Sequence, residues 1–441
     1  MQRINKLIFY CPSEHLGGSE ILLSRLAIKS SFELNGPEIY ILDINGGILS
    51  KLCIDTSNIG IVYDLADIPR QPSDRLVLFS PAKCLHQLYE ILAERESNYF
   101  ISIWQLGSGG LSETLFLPLW LKFKFQGHLY TALKVIFGLL FFNAYKQARK
   151  ALSAFVEQNA IMFTDLVGSC DTFGDLNMQD SITKEIKIIP IFVDGQINRY
   201  AEKLGGGDLY KTKLRIGWLG RISSDFKIFS LTHAITSVIN AYHDQVNSLE
   251  FHVVGNGDAM AELERLKVDM EQRFSNVKFV FYGFRENSES IEILLGNIDL
   301  AIGMGTSSLD LGKFGIPTII ISPVTSDQER HLIRFRWLYD SLGHSLGEFP
   351  NNKKLVGQIS HSGIAVLIDE FMIDSKSVSN RTYDFVNGNF TTEIALALFN
   401  ENLQHSTYHS ELFKRQFKPI YKSRKMFKQT TRLYRPKWLP G

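Results

Sequence analysis

Residues 214–227 read LRIGWLGRISSDFK, and residues 300–322 read LAIGMGTSSLDLGKFGIPTIIIS. Each opens with an apolar run too short for a helix, residues 214–219 and 300–304, and each run gives way to a glycine, Gly220 and Gly305. Apolar runs without polar alternation belong to strands covered on both faces, the condition of a parallel sheet. Working outward, similar runs stand at residues 249–254, 277–282 and 318–322, separated mostly by segments of helical spacing. Strand, glycine turn and helix in repetition specify βαβ units, so the fold class is α/β.

The same punctuation recurs in the first half. An apolar run at 7–11 is followed by a glycine turn and then by Ile21, Leu22, Leu23, Leu26 and Ala27 at helical spacing. Further β-rich runs are expected as strands at 39–44, 76–80, 100–104, 160–163 and 186–190. A chain of 441 residues suits two domains of about 200, each burying its own core. The segment 194–213, with Gly205, Gly206 and Gly207, is the expected linker. The reading is residues 1–200 as one domain and 201–411 as the other, with 412–441 as a tail.

Composition narrows the classes. With 45% hydrophobic and 21% charged residues the chain reads as globular, without long polar tracts. Cys11, Cys53, Cys84 and Cys170 lack any metal-ligand spacing and read as buried thiols in a reducing cytosol. About five apolar residues near the N-terminus are too few for a secretory signal, so a cytoplasmic location is expected. The net charge of +1 hides an asymmetry: residues 412–441 hold ten Lys/Arg and no acid, which leaves +1 − 10 = −9 for the rest. Residues 114–156 hold six Lys/Arg and no acid around the apolar run 129–142, which is too short to span a bilayer and suits either a membrane interface or a core helix. The tail, with Phe413, Phe417, Tyr421, Phe427, Tyr434 and Trp438 among its charges, is expected to dock on an anionic membrane surface. RNA-binding motifs are absent, and nucleic acid is not an expected partner.

Three glycine loops follow strands of the second half, at the sheet edge where ligands bind. They are Gly220-Arg221 with Lys227, Gly255-Asn256-Gly257, and Gly303 through Ser308. The third runs into a short helix whose first N–H groups suit a phosphate, and Arg221 and Lys227 supply positive charge for a diphosphate without a metal ion. Any one of these loops is by itself an ordinary strand-to-helix turn. Met260 at the third fingerprint position argues against NAD at Gly255-Asn256-Gly257. Ser80, Trp104, Gln105 and Asp165 follow strands of the first half and are candidates for the acceptor side, whereas His86 reads as a packing histidine.

These segments resemble the family-four glycosyltransferases of the GT-B fold, in which two Rossmann-like domains face each other across a cleft. LGGSE at 16–20, IIPIFVD at 188–194, IGWLGR with Lys227, and FHVVGNGD through IDLAIGMGTSSLDLGKFGIPTI carry the resemblance. It implies that Arg221 and Lys227 hold the donor diphosphate, that Gly17 and Gly18 lie against it across the cleft, and that Asp310 takes the place of a glutamate holding the ribose. A second family glutamate falls at Ile302 here, so Thr306, Ser307 and Ser308 are left as hydrogen-bond donors to the sugar. The implied activity is hexosyl transfer from a nucleotide sugar, without a cofactor, to a lipid-linked or growing glycan in O-antigen- or capsule-like polysaccharide assembly. A nucleotide-sugar epimerase on the same fold and a non-catalytic partner subunit of another transferase are the alternatives.

Overall fold

Short apolar runs at 6–10, 38–42, 59–62, 76–81, 100–105 and 161–163 form one six-stranded sheet. The computed structural model of the chain describes residues 3–15, 17–94, 98–106, 142–176, 186–196, 212–285, 287–348 and 360–433, with Leu111, Met178, Tyr200 and Tyr210. The strands are β1 (Lys6–Tyr10), β2 (Glu38–Leu42), β3 (Ile59–Val62), β4 (Leu76–Pro81), β5 (Phe100–Gln105) and β6 (Ile161–Phe163), ordered β3-β2-β1-β4-β5-β6. Every pairing is parallel. The helices beside them are α1 (Gly18–Ser31), α2 (Ile48–Cys53), α3 (Leu85–Ala93), α4 (Phe142–Glu157) and α5 (Leu166–Asp175). β3 escapes the sequence reading because it is a half-exposed edge strand carrying Gly60. The strand expected at 186–190 reduces to one bridge, Ile188 beside Phe163.

A second six-stranded sheet is ordered β12-β11-β10-β7-β8-β9. Its strands are β7 (Leu214–Leu219), β8 (Leu249–Val254), β9 (Val277–Gly283), β10 (Leu300–Gly303), β11 (Thr318–Ile321) and β12 (Phe335–Trp337), of which only β12 runs antiparallel. Its helices are α6 (Lys227–Tyr242), α7 (Met260–Arg273), α8 (Asn287–Asn297), α9 (Thr306–Gly312), α10 (Ile364–Ile373) and α11 (Ser375–Asn389). β12 is hard to read in sequence because its central residue is Arg336, a charge on a three-residue strand. That guanidinium, 1% exposed, is satisfied bidentately by Glu348 at 2.6 and 2.9 Å and also donates to Ser341 and to the Ser345 carbonyl. The network fixes the loop 341–348 to the sheet edge.

The chain divides into two compact units, Met1–Pro190 with Ala395–Gly441, and Ile191–Ile394. This corrects the expected boundary and the expected tail. Helix α12 (Thr392–His405) carries the chain back into the first unit, where Phe399 packs on Phe79 and Phe9 at 4.7 and 5.9 Å between ring centroids. Helix α13 (Ser410–Leu433) then lies against α3 and α4. Phe413, Phe417 and Ile420 recur at helical spacing and are buried, with the Tyr89 ring edge-on to Phe413 and tilted against Phe417. The start of the supposed tail is therefore core, although its charge pattern hides the apolar stripe. The apolar run 129–142 and residues 434–441 lie outside the described residues, apart from Phe142. No helix of the described residues is long and apolar enough to cross a membrane.

Candidate functional site

In the second sheet β7 and β10 are neighbours whose following helices lead to β8 and β11 on opposite sides. Such a reversal opens a crevice at the carboxyl ends of the two strands. Gly220 and the Gly305 turn sit there.

Two glycines bring a neighbouring loop against this edge. A Cβ on Gly255 would stand 2.0 Å from the Gly220 carbonyl oxygen, and one on Gly257 would stand 2.0 Å from that of Ile222. Only glycine permits this approach, and it allows the Gly220 N–H to donate to Val254 and the Ile222 N–H to donate to Asn256, both at 3.0 Å. Gly255 and Gly257, expected to touch ligand, thus have a packing reason of their own. They build one wall of the crevice by pressing two loops together.

Lys227 opens α6 and reaches back over Gly220. Its Nζ and the Ser307 Oγ each lie 3.6 Å from where a Gly220 Cβ would stand, and the Trp218 indole nitrogen lies 3.9 Å away. The glycine, in the left-handed region at φ +142°, leaves a cradle beside an ammonium, a serine hydroxyl and an indole nitrogen, of which the ammonium keeps its donors unspent among the described residues. Trp218 also donates to the Gly220 carbonyl at 3.3 Å and so pins the turn. Among the described residues Lys227 has no hydrogen-bond or ion-pair partner. Burial lowers its pKa, repulsion from Arg221 lowers it further, and Asp225 opposes both only in part. Arg221 is exposed and bridges Asp225 at 3.3 Å, a surface contact of little energy that leaves it able to turn toward a ligand.

Gly305, at φ +69°, caps α9, and its N–H donates to the Leu346 carbonyl at 2.8 Å. Thr306 and Ser307 follow on the half-buried first turn, with the Ser307 hydroxyl donating to Met304 at 3.3 Å. Ser308 is fully buried behind Gly303, so its hydroxyl does not reach the crevice surface expected of it. Asp310 is also buried, with Oδ1 3.6 Å from the Lys313 ammonium. Ile302 lies in the apolar core beside Ile216 and Trp218, which is the reason no acid stands there.

In the first unit the corresponding crevice lies between β1 and β4. Gly17 has no Cβ because Glu20 folds back to 2.8 Å from that position, whereas Gly18 faces open space. Glu20 is buried and accepts from Lys83 at 2.6 Å, from Ser19 at 2.9 Å and from the Cys11 thiol at 3.3 Å. Burial would raise its pKa, but the hydrogen bond from Lys83 and its own backbone outweigh that and hold it below the usual carboxylate range. Sequence reasoning missed Lys83. Rather than this residue it offered Ser80, Trp104, Gln105 and Asp165, which the scaffold absorbs: Ser80, Trp104 and Gln105 are buried, and Asp165 caps α5 through Gly168. His86 meets Phe417 edge-on and Tyr421 at a tilt, with ring centroids 5.2 and 5.9 Å away.

Neither the family models nor the curated proteins compared with this chain match it. Solved structures do. The N-terminal domain of Candida albicans trehalose-6-phosphate phosphatase is similar at TM-score 0.52 and 15% identity, over 92% of this chain and 98% of that one. Anabaena HepE in complex with UDP and glucose is similar at TM-score 0.50 and 13% identity, over 91% and 99%. An E. coli trehalose-6-phosphate structure bound with UDP-2-fluoro glucose gives 0.50 and 10%, over 91% and 99%. The shared architecture is the two-unit α/β fold known as GT-B.

Proposed function

We propose that the chain is a glycosyltransferase that takes a sugar from a nucleoside-diphosphate donor held in the crevice of the second unit. The observation that carries this reading is Lys227, a half-buried ammonium at a glycine-walled sheet edge, with no hydrogen-bonded or ion-paired partner among the described residues. A half-buried cation that is only partly compensated is costly, and an arriving diphosphate supplies the missing charge. Arg221, the Ser307 hydroxyl and the first turn of α9 add donors around it. Each charge-assisted hydrogen bond contributes roughly 1.5–3 kcal/mol, so two or three account for micromolar affinity.

The same groups serve the reaction. As the bond from the anomeric carbon to the phosphate oxygen breaks, negative charge grows on the leaving diphosphate, beside the Lys227 ammonium and within the range of Arg221 once it turns from Asp225. No metal ion is required for that, and retention of configuration is the outcome the family resemblance implies. The solved GT-B structures with UDP and glucose or UDP-2-fluoro glucose support a nucleotide sugar as the co-substrate. Asp310 remains the candidate for the ribose hydroxyls.

The acceptor in this reading is a lipid-linked or growing glycan of surface polysaccharide assembly, met at the inner face of the cytoplasmic membrane. What supports it is a basic surface on the first unit. Arg415, Lys418, Lys422 and Lys425 are exposed along one face of α13, and Lys146, Arg149 and Lys150 are exposed on α4, against which α13 packs. Basic residues near an anionic bilayer contribute about 1 kcal/mol each. Isothermal titration with UDP, GDP, ADP and dTDP, followed by product analysis with the matching sugar nucleotides, tests the activity. Binding of none of them would refute it.

A further inference from the structure

Each sheet has two outer edges, and an outer strand left bare is a template for pairing with another chain. Three of the four edges are closed by the protein itself. Beside β6 the Phe163 N–H donates to the Lys187 carbonyl at 2.9 Å, and the Phe163 carbonyl accepts from Ile189 at 2.8 Å. Beside β12 the Ser362 N–H donates to the Phe335 carbonyl at 2.9 Å. Beside β9 the Glu271 carboxylate, on α7, accepts from the Phe279 N–H at 2.8 Å. β6 and β12 have only three residues each and are covered all the same. β3, with four residues, no charge and no proline, has no such cover among the described residues.

The polar groups left over on this edge form a particular set. The Val62 carbonyl accepts from the Asp43 N–H, on the β2 side, at 3.2 Å. Backbone groups alternate sides along a strand, so those of Ile59 and Ile61 and the Tyr63 N–H face outward. The Ile59 N–H is spent on the Thr56 carbonyl at 3.1 Å. What remains is one acceptor on Ile59, a donor and an acceptor on Ile61, and one donor on Tyr63. A two-fold axis at Ile61 matches every one of them: Ile61 exchanges both bonds with its own counterpart, and each Tyr63 N–H donates to the Ile59 carbonyl of the other copy. The edge is complementary to itself, which is what an isologous contact requires.

The side chains around the edge agree. Apart from Phe142, the exposed large apolar residues of the first unit, among those described, all fall between Phe32 and Tyr63, with Ile54 67% and Tyr63 57% exposed. A hydrogen bond from Asn58 to the Ser31 carbonyl at 3.3 Å brings the end of α1 to the same edge. Lys51 stands in the last turn of α2, toward the amino end of β3, and Asp67 closes the short turn Leu65–Asp67 at its carboxyl end. Antiparallel pairing sets the amino end of one copy beside the carboxyl end of the other. Lys51 then comes to the end that carries Asp67, and Ile54 to the end that carries Tyr63. Asp55 and Asp67 beside Lys51 disfavour an anionic bilayer as the occupant. We propose that the β3 edge is a docking surface for a second copy of this chain, which joins two first units antiparallel about a two-fold axis at Ile61. The inference uses the first unit alone and is independent of the transfer reading.

Sedimentation equilibrium of the full-length protein at micromolar concentrations reads the result. The wild type is expected to be a dimer. Ile61→Lys, which sets two ammonium groups against each other at the axis, is expected to dimerise about tenfold more weakly or worse. Lys51→Asp and Asp67→Lys each weaken the dimer as well, and the double variant restores it, because each copy again meets its opposite charge. Both positions are exposed, so the charge exchange keeps the test readable should Ile61→Lys fail to fold. A monomeric wild type overturns the proposal, including one that sediments instead with phosphatidylglycerol vesicles and loses that binding in Ile54→Lys. A dimer that folded Ile61→Lys leaves intact would sink it too, as would a double charge variant no stronger than the single ones.

Discussion

Lys227 is held in a state that its own fold disfavours. Its pKa is lowered on folding, so below that pKa the charged form is less stable in the native protein than in the unfolded chain. Lys227→Met is therefore expected to melt no lower than wild type and to bind a nucleoside diphosphate about 10- to 100-fold more weakly, the loss of one charge-assisted bond. Calorimetry and thermal melts check both halves. Affinity should also fall as pH rises through the lowered lysine value, because the deprotonated amine no longer attracts the anion. The opposite case is Glu348. Burial would raise its pKa, but hydrogen bonds from His361, Arg336 and Ser345 prevail and hold it at about 2. A depressed carboxylate stabilises above its unfolded value and loses that contribution as pH falls from about 4.5 toward 2. Glu348→Gln, which strands the buried Arg336, is expected to cost about 3–5 kcal/mol in denaturant melts. Lys227 was legible in sequence because its place follows from its spacing after the β7 glycine. Lys83 and Trp218 were not, since their roles depend on which strands are neighbours.

Strands β7 to β11 were legible because each is a mostly apolar run, buried throughout in β10 and β11, ended by a glycine or a polar residue. Elements whose apolar residues are diluted by charge were not. Helix α13 is the main instance: its eight Lys/Arg read as a solvated tail, while Phe413, Phe417 and Ile420 on its inner face complete a core. Phe417→Ala is expected to destabilise the first unit by about 3–5 kcal/mol, visible as a lower melting transition. Charge reversal at Arg415, Lys418, Lys422 and Lys425 should leave that transition nearly unchanged, because these side chains are exposed. The same variant should abolish salt-dependent sedimentation with vesicles containing phosphatidylglycerol. Sedimentation equal to wild type would remove the membrane reading of this face.

At the scale of the whole molecule the two-unit α/β plan follows from the repeated strand-turn-helix pattern, but the division of the chain does not. A charge change at 412 suggested a boundary where packing shows none, and the true crossings, after Pro190 and after Ile394, fall within ordinary sequence. The segment 191–394, produced alone, is expected to fold and to retain diphosphate binding, since its sheet, Lys227 and Ser307 are all its own. Residues 1–190 alone should not give a native circular-dichroism melt, lacking Phe399, Phe413 and Phe417. The order of synthesis then matters. The ribosome makes most of the first unit before the second, yet supplies the helices that close it only after residue 394. Until then its α3 and α4 faces stay open while the later-made unit folds to completion. Translation that pauses or stops in that interval releases a chain with a finished donor half and a sticky, unfinished one, the natural substrate of a holdase chaperone.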